Sequence, residues 1–473
     1  MKPSKQAAAA ATSPDDGATV WLYEAQKKVY PRSISGLFTR WRWFFVFATQ
    51  LFFYGMPWVQ WGGRQAMLFD LEARRFYIFG LVLYPQDVIY LTGILIISAL
   101  LLFLFTAVAG RQWCGYACPQ TVYTEIYLWV EKQFEGDRQA RLRLDAGPMS
   151  PNKLWRKAGK HAVWIAIGLW TGLSFVGYFT PIRELVGHIA TWSLGPWETF
   201  WVFFYGFATW GNAGFMREQV CKYMCPYARF QSAMFDKDTL IVTYDAARGE
   251  PRGGRSKKAD PKALGLGDCI DCTMCVQVCP TGIDIRDGLQ YECISCAACI
   301  DACDEVMDKV GYPRGLIRYS TERALEQGWG KREIWRRVLR PRVLVYSAAL
   351  ATLIIAFAAS LWLRTPFKVD IVRDRATLAR IVEGGQIENI YRVQVMNATE
   401  QPRTFSLAVD GLPGLKLVSE PSVTIDGAQS MWVPVQLRLP YDGATPGSHE
   451  IHFRVDSPGV GEVREKSVFI VPR

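Results

Sequence analysis

The chain has 473 residues, 50% of them hydrophobic, 14% aromatic and 21% charged, and the apolar residues gather into blocks. That pattern excludes a disordered chain, a small disulfide-stapled domain and a wholly soluble globule, and the length suggests about three domains. The 54 Lys and Arg against 44 Asp and Glu leave a basic surplus beside the apolar blocks, where membrane anchors belong, and not in a nucleic-acid patch.

Residues 1–40 read as a flexible N-terminal tail. The stretch from Ala7 through Asp16 is polar and Ala-rich with no apolar run near the start, so a signal peptide is not expected. Five blocks are then long enough to cross a bilayer as helices, which takes about 20 residues: 43–59, 88–109, 162–179, 199–215 and 343–363. Residues 41–215 thus form a four-helix membrane region. The apolar run 76–84 is too short to span and is expected as a strand or interfacial segment. Basic residues crowd between the second and third blocks, from Arg111 to Lys160, whereas Arg183 stands alone between the third and fourth. The N-terminus and residues 216–341 are therefore expected inside, and 365–473 outside.

Two short phrases follow the even-numbered blocks: Gln112-Trp113-Cys114-Gly115-Tyr116-Ala117-Cys118-Pro119 and Gln219-Val220-Cys221-Lys222-Tyr223-Met224-Cys225-Pro226. Both fit Gln-x-Cys-x-Tyr-x-Cys-Pro, an internal repeat of helix hairpins. In a helix the two Cys share a face, yet Pro after the second disfavours helix at that residue. Four thiolates could hold Cu(I), cycle between dithiol and disulfide, hold a further cluster, or merely pack. Duplication with matching neighbours favours a redox or metal site at Cys114, Cys118, Cys221 and Cys225. Met216 and Met224 are expected in the core.

Within about residues 260–310 the spacing Cys-x-x-Cys-x-x-Cys-x-x-x-Cys occurs twice, at 269, 272, 275, 279 and at 293, 296, 299, 303. Three thiolates in a tight loop grip one face of an iron–sulfur cube, and the fourth of each run reaches the other cube. The expected sets are Cys269, Cys272, Cys275 and Cys303 for the first [4Fe–4S] cluster, and Cys293, Cys296, Cys299 and Cys279 for the second. Zinc would leave the third Cys of each triplet redundant. Asp304 replaces the Pro of the bacterial ferredoxin pattern, which is expected to loosen a turn without removing a ligand.

Lys331, Arg332, Arg336, Arg337, Arg340 and Arg342 anchor the inside end of the fifth span, 342–364. Beyond it, alternation at Tyr391, Val393, Val395, at Val433, Val435, Leu437, Leu439 and at Ile451, Phe453, Val455, punctuated by Asp410-Gly411, Asp426-Gly427 and Asp442-Gly443, predicts an all-β immunoglobulin-like sandwich over 365–473. It has no clustered acid, base or nucleophile and reads as a docking module. His161 and His188 fall at opposite ends of the third block, cannot share a haem and read as structural. Glu198 lies at the outer mouth of the fourth block, too near the edge to mark an intramembrane site.

The fold class is thus a polytopic α-helical membrane protein of about five spans, with an inserted two-cluster ferredoxin module and a C-terminal sandwich. That order, together with Gly63-Arg64-Gln65-Ala66 and Asp70 through Gly80, closely resembles the cytochrome c oxidase accessory family called CcoG, FixG or RdxA. The resemblance implies a protein of the bacterial inner membrane, with its ferredoxin module cytoplasmic and its sandwich periplasmic. It implies a role in assembling a high-affinity haem–copper oxidase by reducing Cu(II) to Cu(I). The expected partners are a soluble cytoplasmic electron donor, a copper chaperone or copper-exporting ATPase, and oxidase assembly factors, with no nucleic acid. A quinol-oxidising membrane ferredoxin and a non-redox assembly scaffold are the alternatives.

Overall fold

The computed structural model describes residues 28–256, 260, 263–374 and 379–472. Helices cover all five apolar blocks. They are α1 (Leu37–Gly55), α2 (Val88–Ala109), then α3 (Gln112–Tyr116), α4 (Pro119–Glu135), α5 (Arg138–Ala146), α6 (Pro151–Val176), α7 (Ile182–Ala190), α8 (Pro196–Gly211) and α9 (Pro226–Met234), with Pro341–Trp362 over the fifth block. Two helices among the described residues, Pro85–Ala109 and Pro341–Trp362, are long and apolar enough to cross a membrane on their own. The others are less so for visible reasons. The first helix carries Arg40, Arg42 and Gln50, α6 opens with Lys153, Arg156, Lys157 and Lys160, and α8 has only 16 residues.

Small residues let these helices approach. A Cβ on Gly168 would lie 2.7 Å from the Gly206 carbonyl oxygen, and one on Gly172 only 2.2 Å from that of Val202, so α6 and α8 touch backbone to backbone. Gly172→Leu is expected to overpack this seam and destabilise the protein by about 1–3 kcal/mol, read as a lowered melting temperature in detergent. The helix Pro341–Trp362 runs antiparallel to α2, with the Tyr90 ring 5.8 Å from Phe357 and its hydroxyl donating to the Ser360 carbonyl at 3.2 Å.

Both ends of this bundle are fixed. Beyond α1, the strands Met67–Asp70, Arg75–Ile78 and Leu81–Leu83 form a small sheet, so the run 76–84, expected as a strand or interfacial segment, supplies parts of two strands. The segment around this sheet meets the C-terminal domain through Tyr84, whose hydroxyl donates to the Asn397 carbonyl, and through the Arg64–Glu400 ion pair at 2.9 Å. Buried Asp87 receives Arg364 at 2.7 Å and Lys368 at 2.6 Å, which ties the start of α2 to the exit of the last helix. At the opposite end, Leu240 N donates to Val108 O at 3.0 Å and Arg340 to Ala107 O at 2.7 Å. There the strands Ile241–Tyr244 and Ile317–Ser320 pair antiparallel and bracket the Cys-rich insertion.

The C-terminal domain is a sandwich. One sheet runs Lys416–Leu417, Ser430–Pro440, Gln386–Asn397, Phe367–Arg373, with Arg380–Val382 also on Gln386–Asn397. The other runs Ser422–Ile425, Arg403–Asp410, Gly447–Ser457, Gly461–Val471. The alternating residues point as their pattern requires: Tyr391, Val393, Val395, Leu437, Leu439, Ile451, Phe453 and Val455 are fully buried between the sheets.

The N-terminal tail needs correction. Residues 1–27 lie outside the described residues, but 28–40 are not free. Arg32 N donates to Gln277 O at 2.8 Å and Ser33 N to Asp137 Oδ1 at 3.0 Å, and α1 begins at Leu37. Asp301, between two ferredoxin cysteines, caps α1: its carboxylate accepts from Phe38 N at 3.2 Å and Thr39 N at 2.8 Å. A carboxylate there satisfies orphan amides and the positive helix end. Gly36 permits the approach, since a Cβ would lie 2.2 Å from the Asp301 side chain.

Candidate iron–sulfur and thiol centre

The eight ferredoxin cysteines fall into two groups around two cavities. Cys269, Cys272, Cys275 and Cys303 line one. Cys279, Cys293, Cys296 and Cys299 line the other, with Cys275 on the shared wall. The fourth Cys of each run thus stands with the triplet of the other. Both triplet loops bend alike: Asp271 and Thr273 in the first, Ser295 and Ala297 in the second, take left-handed φ between 52° and 60°. Alternating handedness turns successive amides inward into an anion-binding concavity. An anionic iron–sulfur cube therefore fits both loops. Burial pushes the thiols of Cys275, Cys293 and Cys303 up to about 12, so iron binding there displaces protons.

Asp304 corrects one expectation. It sits inside the helix Ala298–Val310, with no turn to loosen, and accepts Gly315 N at 2.9 Å. A Pro there would break the helix that carries Cys299 and Cys303.

The two hairpin phrases fold as copies. Cys114 and Cys221 lie in short helical turns, while Cys118 and Cys225 are extended and precede a Pro that opens α4 and α9. In both, the second Cys amide reaches back five residues, Cys118 N to Trp113 O at 3.1 Å and Cys225 N to Val220 O at 2.8 Å. The left-handed residue entering each phrase also matches: Gly110 at φ 57° in the first and Arg217 at φ 38° in the second. Gln120 links the copies, donating to Asn212 O at 3.0 Å and Arg217 O at 3.1 Å.

The four hairpin thiols are close enough to feel one another's charge. Burial first, then Cys118, pushes the Cys221 thiol up to about 12, and burial with Cys114 raises that of Cys118. Among the described residues no three His, Cys, Asp or Glu side chains converge on one metal ion. That holds for the ferredoxin thiols too, which a cubane spreads over separate irons. Met216 is half-buried, but Met224 is 55% exposed and not in the core.

What joins hairpin to ferredoxin is backbone contact. Cys114, Cys221, Cys296 and Cys299 share one apolar cluster with Ile294 and Ala298. Gly115 sits so tightly on the second triplet loop that a Cβ would lie 2.7 Å from Ile294 O and 2.8 Å from Cys296 Cα. Arg111, fully buried, donates to Gln231 Oε1 at 2.9 Å and to the Tyr291 carbonyl, while the Cys114 thiol donates to the same Gln231 oxygen at 3.4 Å. Gly115, Arg111 and Gln231 were not singled out as site residues by the sequence; alignment of the two phrases would have flagged Gly115, which stands where Lys222 stands in the second copy. The remaining expectations resolve simply. Glu198 caps α8, accepting Gly195 N at 2.9 Å, with half-buried His188 3.7 Å away, and His161 lies among Trp164, Trp210 and Phe215.

The comparisons agree with this layout. A "4Fe-4S dicluster domain" family model matches residues 216–322, a "4Fe-4S binding domain" model matches 91–135, and an "IG-like fold at C-terminal of FixG" model matches 357–472. The "Nitrogen fixation protein FixG" of Rhizobium meliloti is 40% identical over 437 residues, covering 86% of this chain and 83% of that protein. "Protein RdxA" of Cereibacter sphaeroides is 40% identical over 458 residues, covering 93% and 95%. The crystal structure of a FixG-related protein from Vibrio parahaemolyticus aligns at 24% identity and a TM-score of 0.21, over 22% of this chain and 95% of that one. With its dicluster module, its sandwich and 40% identity over most of its length, this chain belongs to the FixG/RdxA family of iron–sulfur proteins.

Proposed function

We propose that the protein is a membrane-bound electron relay that reduces Cu(II) to Cu(I) for assembly of a high-affinity haem–copper oxidase. In this reading the five helices span the inner membrane, the ferredoxin module faces the cytoplasm and the sandwich faces the periplasm, where copper-delivery and assembly factors meet it. The chain's three regions run 41–215, 216–341 and 365–473, with the span 342–364 between the last two.

The observation that carries the reading is the seating of Cys114 and Cys221 against Cys296 and Cys299 in one apolar cluster. Cys269, Cys272, Cys275 and Cys303 would hold one [4Fe–4S] cluster and Cys279, Cys293, Cys296 and Cys299 the other, supplying one-electron carriers when bound. Cys272 is exposed while Cys275 and Cys296 are buried, so a soluble donor docks beside the first group and the second faces the hairpins. Each cupric ion takes one electron, and thiolates at Cys114, Cys118, Cys221 and Cys225 favour the softer Cu(I) product. Arg111 and Gln231 hold the Cys114 thiol in place, and Gly115 keeps it against the cluster loop.

In the Cys221→Ser/Cys225→Ser double variant, cupric reduction by the pre-reduced full-length protein is expected to fall at least about tenfold, the tenfold corresponding to about 1.4 kcal/mol of barrier. The iron–sulfur absorbance should stay at the wild-type level. An unchanged rate would exclude the hairpin thiols as the exit site.

A further inference from the structure

A cavity of about 260 Å³ opens beside the second hairpin, lined by Glu131, Lys160, His161, Trp164, Phe215 and Arg217. Its inner wall carries polar atoms without hydrogen-bond partners: Arg217 Nη1 and His161 Nδ1. Arg217 is 7% exposed and Glu131 is 0% exposed. Such orphan atoms are costly when buried and mark a place where a partner belongs. Arg217 is also held at φ 38°, in a region that non-glycine residues adopt at a cost and that clusters at functional sites.

Beside these polar atoms the cavity has an aromatic side that leads outward. The Phe215 ring stacks on His161 at 5.7 Å and meets Trp210 at 4.8 Å, and Trp210 meets Phe207 at 5.7 Å. Phe207, 69% exposed, lies on α8, on the surface that faces lipid if that helix spans. An anion would gain little here, because the lining cations Lys28, Lys160 and Arg217 are already matched by three carboxylates, the lining Glu131 and Glu218 and, 2.8 Å from Lys160, Glu135. A neutral planar ring with hydrogen-bonding oxygens fits both walls. Arg217 and Glu218 also line a second, smaller cavity that reaches Cys221 and Pro280, so a ligand in the first is one side-chain layer from the thiol centre.

We propose that this cavity binds the head group of an isoprenoid quinone or quinol. Its oxygens meet Arg217 Nη1 and His161 Nδ1, its ring lies against Trp164 and Phe215, and its tail leaves along Phe207. The proposal rests on the electron-relay part of the functional reading and not on copper.

The test uses the oxidised full-length protein in phosphatidylcholine nanodiscs, titrated with decylubiquinone in the absence of copper. Saturable binding of about one molecule per chain is expected, weakened at least about tenfold by His161→Leu and by Arg217→Gly. The glycine suits the backbone at φ 38°, and Gly110 shows that the hairpin accepts it. Each variant's melting temperature and iron–sulfur absorbance check that it is folded. Absence of saturable binding, unchanged affinity in both folded variants, or displacement of the probe by phosphatidylglycerol would overturn the proposal, the last assigning the cavity to an anionic lipid. Loss of cupric reduction in the hairpin Cys variants is read separately, so either idea can fail alone.

Discussion

Glu131→Gln is expected to destabilise the folded protein by about 3–5 kcal/mol, because it strips the counter-charge from buried cations. Glu131 is fully buried on α4 and is shared by Arg141 from α5, Lys160 from α6 and Arg217 from the second hairpin. One carboxylate therefore holds three elements together, and amide replacement leaves Arg141 and Arg217 nearly as buried with nothing to neutralise them. Burial alone would raise the Glu131 carboxyl, but Arg217, Arg141 and Lys160 outweigh it and hold the group below the usual carboxylate range. Unfolded, the same group titrates near pH 4.3, so its stabilisation is complete above about that value and drains away as the pH falls through the folded one. Thermal melts in detergent should show a wild-type-to-variant gap that is constant between about pH 6 and 8 and narrows below about pH 4. A gap that persists undiminished in acid would mean that Glu131 acts through shape and not charge.

The same cluster shows where the sequence runs out. Cysteine spacing was legible because ligand chemistry fixes it: three thiolates two residues apart and a fourth beyond dictate loop, helix and partner. The sandwich was legible because burial on one face imposes a period of two, and Tyr391, Val393 and Val395 obey it. The five helices were legible as apolar blocks, though α1 and α6 mix in charge that their neighbours absorb and α8 is short. The end of the tail was not legible. Residues 28–36 carry no periodic pattern and are fixed by partners far along the chain, as Thr39 is by Asp301, 262 residues away. Arg217 was hidden differently: it stands two residues before the repeated phrase, and only its left-handed backbone, matching Gly110, reveals that it belongs to the repeat.

Cys279→Ser and Cys303→Ser should each lower the iron content from about eight atoms per chain toward about four, and each should spare the cluster of its own run's triplet. The expectation follows from the two cavities, where Cys303 stands with Cys269, Cys272 and Cys275, and Cys279 with Cys293, Cys296 and Cys299. The surviving iron should differ in reactivity. In Cys303→Ser it sits behind Cys293, Cys296 and Cys299, buried under the hairpins, and should resist a water-soluble oxidant such as ferricyanide. In Cys279→Ser it sits behind exposed Cys272 and should bleach quickly. If each run held its own cluster, the order would reverse, with Cys279→Ser leaving the protected iron. Bleaching rates of the two anaerobically purified variants, normalised to iron, therefore decide between crossed and sequential ligation without any assay of copper. Crossed ligation also explains the helix Ala298–Val310: it carries Cys299 to one cavity and Cys303 to the other, so neither centre can form fully until that helix has docked.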